Sequence, residues 1–267
     1  MSLRAILGVD TAVIGMVHLR ALPGSPRWAG RMEDVTRAAL DDACALADGG
    51  VDALLVENHG DMPFAPGRVD AATVAAMAVA AHALRAAVPL PLGVNVLKSD
   101  ALSSLAVASA TGAAFIRVNV HVGAVVGDQG LLQSTAYESL RYRRLLGQDI
   151  KILADVQAKH AVPLAPVAIE HETRDAVARG LADGLVVTGV ATGEPTAMAD
   201  LKKVRGAAPG TPLLVGSGAT ADNAAELLSV ADGLIVGTSV KRDGVLANPV
   251  DRERVRRLVE AARGGRR

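Results

Sequence analysis

Eight times along this chain a short run rich in Val, Ile and Leu gives way to a longer run, the first three of these rich in alanine. No other feature restricts its fold so strongly. The short runs span residues 13–19, 52–57, 92–96, 114–120, 151–156, 184–188, 213–215 and 233–236. Short, continuously apolar runs suit strands buried on both faces, as in a parallel sheet covered by helices. The longer runs, 32–48, 71–88, 101–111, 135–146, 169–180, 196–205, 221–230 and 249–262, suit helices. Pro249 stands in the first turn of the last one, where its missing N–H does no harm. Turns of the type Gly-Val-Asp or Ala-Asp-Gly, at 49–52, 182–184 and 231–233, close helices and lead into the next strand. Glycine suits the left-handed position after a helix end.

Such alternation builds either an open doubly wound sheet or a closed (β/α)8 TIM barrel. Two small domains also fit the length alone. The chain has 267 residues and no break in composition, close to the ~250 of a barrel. The expected fold is therefore one α/β (β/α)8 barrel over residues 1–267, with 263–267 as a frayed basic tail.

Composition narrows the function. Half the residues are hydrophobic, and 28 basic residues balance 28 acidic ones. No general attraction to nucleic acid or anionic lipid follows. Aromatic residues are 2% of the chain, too few for a base-stacking platform. No stretch approaches the ~20 apolar residues of a membrane span, and residues 1–10 lack a signal-peptide core. A cytoplasmic protein without membrane insertion is expected. The single cysteine, Cys44, excludes an internal disulfide and is expected to pack like a buried alanine.

In a barrel of this kind, chemistry gathers at the C-terminal ends of the strands. His18 ends the first, Glu57 the second and Asn95 the third. Arg117 and Asn119 share one parity on the fourth, so both face inward together. Asp155, Gln157 and Lys159 share a parity at the end of the fifth, next to His160, and Thr188 ends the sixth. A carboxylate on an apolar strand must be paired or face a cavity. Glu57 is a candidate base, metal ligand or cation partner, whereas His59 and Asp61 are expected to hold the loop. Arg117 needs an anion, supplied by Glu57, Asp155 or a ligand. Asp155, Lys159, Glu57 and His18 are the acid/base candidates, with a Schiff base on Lys159 as a lesser option. Asn95, Arg117, Asn119, Asp128, Gln157, His160 and Thr188 are substrate-binding candidates. A divalent metal at Glu57, Asp155, His18 and His160 is possible, but no local ligand spacing supports it and the cofactor stays open. No nucleophile elbow is present, and His82 and His171 fall on helices as surface or structural residues.

The seventh strand runs into Gly216-Ser217-Gly218 and the eighth into Gly237-Thr238-Ser239. Glycine loops here turn backbone N–H groups toward an anion, and phosphate sites after these two strands are frequent in the fold. A helix starting near Thr220 would add its N-terminus. Lys241 either faces that anion or is a solvated surface lysine. Two long loops, 20–31 and 121–134, are lid candidates, the second carrying Asp128 and Gln129. The loop 188–194 is a further candidate for contact with substrate hydroxyls.

Several of these segments are longer motifs: Gly15-Met16-Val17-His18-Leu19 with Leu22-Pro23-Gly24-Ser25-Pro26, Val56-Glu57-Asn58, Gly93-Val94-Asn95-Val96-Leu97 and Phe115-Ile116-Arg117-Val118-Asn119. Asp128-Gln129-Gly130, Ala154-Asp155-Val156-Gln157-Ala158-Lys159-His160, Gly216-Ser217-Gly218 and Asn248-Pro249-Val250-Asp251 complete the set. Together they resemble the BtpA/SgcQ family across nearly the whole chain. The resemblance implies a TIM barrel, a role in photosystem I biogenesis as an assembly or stability factor, and for the SgcQ branch a sugar-phosphate setting. It brings no settled reaction. The expectation is an enzyme acting on a small phosphorylated metabolite, a sugar phosphate or a nucleotide, with a homo-oligomer as the prior for its assembly. The alternatives are a non-catalytic biogenesis factor and a metabolite sensor.

Overall fold

A computed structural model describes residues 2–189 and 196–264. Its elements run α1 (Leu3–Leu7), β1 (Ala12–His18), α2 (Met32–Asp48), β2 (Ala53–Glu57), α3 (Ala71–Ala87), β3 (Leu92–Asn95), α4 (Ala101–Thr111), β4 (Phe115–Val118), β5 (Ala124–Gly127) and β6 (Gly130–Gln133). They continue α5 (Ala136–Leu146), β7 (Lys151–Val156), β8 (Ala161–Pro163), α6 (Ile169–Ala178), β9 (Gly184–Val187), α7 (Met198–Ala207), β10 (Leu213–Val215), α8 (Ala224–Leu227), β11 (Gly233–Val236) and α9 (Arg252–Gly264). The eight expected strands close into a parallel barrel in the order β1-β11-β10-β9-β7-β4-β3-β2. Alternation divides each strand between two cores. Val13, Val17, Leu54, Val56 and Val94 point outward and pack with the helices. Ile14, Met16, Leu55, Phe115, Leu153, Val186, Leu214 and Ile235 fill the barrel interior. Full burial of a Leu or Ile side chain contributes ~1.5–3 kcal/mol, so both cores are strongly specified.

Three features depart from the sequence reading. The short helix α1 places Leu3, Ile6 and Leu7 against the interior core, closing the end of the barrel opposite the strand C-termini. Five residues hold too little of a 3.6 period to be read as a helix. Second, most of the loop 121–134 is the hairpin β5–β6, which with β8 forms an antiparallel sheet ordered β6-β5-β8. Val125 and Leu132 face Val120 on its buried side, while Val126, Leu131 and Val162 are exposed. Third, α8 keeps four residues rather than the expected 221–230. The Asn223 side chain accepts from the Thr220 N–H at 2.8 Å and donates to the Gly218 carbonyl at 3.0 Å. That turn competes with helix over 218–223, as Asn side chains do.

Cys44 is exposed, against expectation. In α2 the buried stripe is Val35, Ala39, Asp42, Ala43 and Leu46, and one residue past Ala43 lies about 100° round the helix. His82 and His171 are exposed on α3 and α6. The last residues of the tail, 265–267, lie outside the described residues.

Candidate active site

The inward rows continue upward from apolar to polar. Met16 leads to His18, Leu55 to Glu57, Phe115 to Arg117 and Leu153 to Asp155, each two residues on and on the same face. Strand register brings three of the candidates level: His18 pairs with Glu57, and Glu57 with Asn95. The ring of polar side chains is thus set by the same alternation that builds the core below it.

Glu57 is 6% exposed. Asn95 Nδ2 donates to its Oε2 at 2.7 Å, and His18 Nε2 lies 4.0 Å from Oε1. Burial, above all, pushes the His18 imidazole well below the usual histidine range, and the charges of Lys241, Lys159 and Arg117 add to it. His18 is therefore neutral near pH 7 and gives Glu57 no counter-charge. Its Nδ1 and the Asn95 Oδ1 are buried without a partner among the described residues.

Asp155 sits differently. Arg117 Nε donates to its Oδ1 at 2.8 Å and Arg117 Nη2 to its Oδ2 at 3.0 Å, while Asn119 Nδ2 donates to Oδ2 at 2.8 Å. Both partners of the ion pair are buried. Burial works against the Arg117 charge, but Asp155 outweighs it and keeps the guanidinium firmly protonated. Three N–H donors occupy both oxygens, so Asp155 fixes Arg117 in the barrel mouth and has little left for a substrate proton.

Lys159 follows β7 on a half-buried loop. Burial pushes its amine below the ordinary lysine range, Arg117 pushing the same way and Glu57 opposing. The neighbouring Lys98, 5% exposed, donates from Nζ to the Lys159 carbonyl at 3.0 Å and lies 3.9 Å from Asp128 of the hairpin. Lys98 was not singled out from sequence. A lone lysine after Val94-Asn95-Val96-Leu97 carries no signal that it turns back under the loop of another strand.

The two glycine loops meet these side chains in one cavity of 170 Å³, lined by Glu57, His18, Arg117, Lys159, all of 216–220 and Gly237, Thr238 and Ser239, with Met16 and Ile235 as its floor. Gly218 has φ +73°, which only glycine adopts freely. A Cβ on Gly237 would lie 2.8 Å from His18 Cε1, so the loop can approach the histidine only without a side chain. Among the described residues, the N–H groups of Gly218, Ala219, Thr238 and Ser239 have no protein acceptor. Backbone donors left free on glycine loops are what an anion nest requires. The expected contribution of a helix N-terminus is absent, because α8 starts only at Ala224.

Other candidates fall away from this cavity. Asp128 is exposed beside Lys98, and His160 is exposed in the loop after Lys159. Gln157, with φ 53°, donates its N–H to Glu172 at 3.0 Å. The Thr188 hydroxyl is buried without a partner among the described residues, its methyl beside Gly216. Of the loop 188–194, residues 190–194 lie outside the described residues. Lys241 fits neither expectation: it is 2% exposed and paired with Asp42, whose other oxygen accepts the Val250 N–H at 2.7 Å. Asp61 holds its loop as expected, accepting from the Leu22 N–H at 2.7 Å and from Asn58 at 3.0 Å. No three His, Cys, Asp or Glu side chains converge as a metal-binding group among the described residues. No helix of the described residues is long and apolar enough to cross a membrane.

The profile of the BtpA family matches residues 9–264. The chain belongs to the BtpA family. Within it, the photosystem I biogenesis protein BtpA of Synechocystis sp. is 48% identical over 253 residues, covering 95% of this chain and 88% of that protein. The putative sgc region protein SgcQ of Escherichia coli is 38% identical over 261 residues, covering 97% and 96%. Among solved structures, N-(5'-phosphoribosyl)anthranilate isomerase from Pyrococcus furiosus superposes with TM-score 0.56 at 14% identity, covering 95% of this chain and 99% of that one. At that identity the likeness is one of fold: this BtpA-family chain is a TIM barrel.

Proposed function

We propose that this BtpA-family barrel is an enzyme acting on a small phosphorylated metabolite by acid/base chemistry. The observation that carries the reading is the convergence of both glycine loops with Glu57, His18 and Lys159 on one cavity. In this reading the N–H groups of Gly218, Ala219, Thr238 and Ser239 hold the phosphate, and Ser217 and Ser239 line the same cavity. Glu57, fixed by Asn95, takes a proton from the substrate. Lys159, its amine pushed down by burial and by Arg117, returns a proton or stabilises a developing oxyanion. Neutral His18 donates or accepts one hydrogen bond between them. Arg117, locked by Asp155 and Asn119, supplies fixed positive potential. The structural neighbour that superposes across the chain carries a phosphoribosyl substrate in its own name, in keeping with an anion site at this end of the barrel. The setting we infer is the cytoplasm, and a homo-oligomer is checked by sedimentation.

Thermal unfolding with phosphorylated sugars and nucleotides tests this, each beside its unphosphorylated counterpart, with and without Mg²⁺. A ligand at ~100 times its Kd adds about 2.7 kcal/mol, or ~5–10 °C for a domain of this size. The shift is expected only with a phosphate and is lost in Gly218→Asp. A flat panel refutes the reading. Turnover of the compound that binds is expected to vanish in Glu57→Gln and Lys159→Met.

A second reading, an assembly or stability factor, rests on a different observation. Val126, Leu131, Val162, Leu164 and Val167 are exposed on and beside the β6-β5-β8 sheet, an apolar surface of the kind partners cover. The name of the Synechocystis relative agrees with it. Charged substitutions there that abolish the biological role, while Glu57→Gln leaves it intact, would favour this reading.

A further inference from the structure

The reaction cavity has a larger neighbour. A second cavity of 680 Å³ opens on the other side of His18, between the loop after β1, the turn after β2, helix α2 and the loop after β11. His18 stands in the wall of both. The sizes are informative. Small-molecule sites span ~300–1,000 Å³. The 170 Å³ of the first cavity lies below that range, and the second lies within it. A phosphate and a few carbons match the size of the first, and the second adjoins it at His18.

The chemistry of the second cavity indicates what that extension is. Arg20 and Arg27 line it, and neither has an ion-pair or hydrogen-bond partner among the described residues. Arg117 and Lys241, by contrast, are committed to Asp155 and Asp42. Asp41 lines the same cavity, exposed and also without a partner. Ala38, Met62 and Leu246 supply apolar wall. The His59 ring adds a flat surface, held edge-on by His18 at 5.2 Å and by Phe64 at 6.3 Å between centroids. Guanidinium groups stack on planar rings and donate in-plane to carbonyl or carboxylate edges. Two free guanidiniums, one free carboxylate, an aromatic ring and small apolar residues suit a flat heterocycle with both acceptor and donor edges.

We propose that the substrate is a sugar phosphate bearing a planar heterocycle, of nucleotide type. Its phosphate lies in the glycine loops, its sugar beside Glu57 and Lys159, and its ring in the cavity of Arg20, Arg27 and His59. This rests on the phosphate reading above and narrows it from any phosphorylated metabolite to nucleotide-like ones. His18 then sits level with the bond joining sugar to ring, which makes it the residue that reports both halves.

Isothermal titration of the full chain with inorganic phosphate, ribose 5-phosphate, uridine, uridine 5′-monophosphate and adenosine 5′-monophosphate tests the assignment. At least one nucleotide is expected to bind about tenfold or more tighter than ribose 5-phosphate, a gain of ~1.4 kcal/mol. Arg27→Ala, at an exposed position, and Ala38→Trp, which fills the cavity, should each cut that advantage to about twofold or less while leaving ribose 5-phosphate unchanged. Should Ala38→Trp fail to fold, Arg27→Ala carries the test. Ribose 5-phosphate binding as tightly as both nucleotides overturns the proposal and leaves the phosphate reading standing. So does a nucleotide advantage that survives both variants. Binding by none of the phosphate compounds overturns both.

Discussion

Asp155→Asn should destabilise the protein far more than its single-atom change suggests. The side chains of Arg117 and Asp155 are 3% and 0% exposed, so neither charge can turn to water. The substitution keeps an oxygen for one Arg117 bond, but removes the second acceptor and the whole counter-charge. It also puts an NH2 group either against the guanidinium or against the Asn119 amide, which already donates at 2.8 Å. Breaking a buried pair from one side costs ~3–5 kcal/mol. For a domain this large each kcal/mol moves Tm by ~2–4 °C, so a fall of about 6–20 °C is expected by circular dichroism. The double variant Arg117→Met/Asp155→Leu removes both charges and should regain most of that loss, because the penalty comes from the orphaned charge and not from the missing attraction. A loss below ~1 kcal/mol in Asp155→Asn, or a double variant less stable than the single, refutes the assignment of Asp155 as the anchor of Arg117.

Three further outcomes follow from the geometry. Gly237→Ala places a methyl 2.8 Å from His18 Cε1; overpacking of this kind costs ~1–3 kcal/mol, and the variant should bind phosphate more weakly by calorimetry. Lys241→Met leaves Asp42 buried with only the Val250 N–H, so urea unfolding should show a loss of ~3–5 kcal/mol. Burial depresses the His18 pKa, so below about pH 6.5 the unfolded chain binds a proton that the folded chain refuses. The stability associated with neutral His18 is present above that pH and is lost as pH falls toward the folded value. The drop in unfolding free energy between pH 7.5 and 5.5 should therefore be smaller in His18→Gln than in the parent protein, and an equal drop refutes it.

The barrel was legible because short apolar runs alternate eight times with longer helix-forming runs, a pattern that local sequence carries by itself. The polar ring was legible for the same reason: parity puts Arg117 with Asn119, and Asp155 level with the mouth. Partner choice was not. Sequence left Arg117 open to Glu57, Asp155 or a ligand, since the decision depends on the diagonal between β4 and β7, where Arg117 sits opposite Leu153 and Asp155 two residues on. Lys98 and Lys241 were illegible for a related reason. Each is buried by a contact from a distant segment, Lys159 in one case and Asp42 in the other. The 121–134 segment has alternation too short to separate a hairpin from a loop, and its third strand, β8, begins only at Ala161, well after β6 ends at Gln133. Cys44 was misplaced because composition, not helical phase, governed the expectation.

The two carboxylates of the mouth show how one ring of similar residues divides its work. Both end the inward row of a strand and both are nearly buried. Asp155 meets an arginine and an amide, three donors for two oxygens, and so becomes structure. Glu57 meets one amide on Oε2, and on Oε1 a histidine that burial keeps neutral. A buried carboxylate with an unfilled oxygen beside an open cavity is unstable ground for a scaffold, because the missing donors cost free energy that a hydrophobic residue would not. The arrangement becomes reasonable once a ligand supplies the donor. If Glu57→Leu raises the unfolding free energy of the ligand-free protein while abolishing ligand binding, the carboxylate is there for the ligand; if it lowers stability by several kcal/mol, Glu57 belongs to the scaffold with Asp155, and the base must be sought at Lys159 or His18.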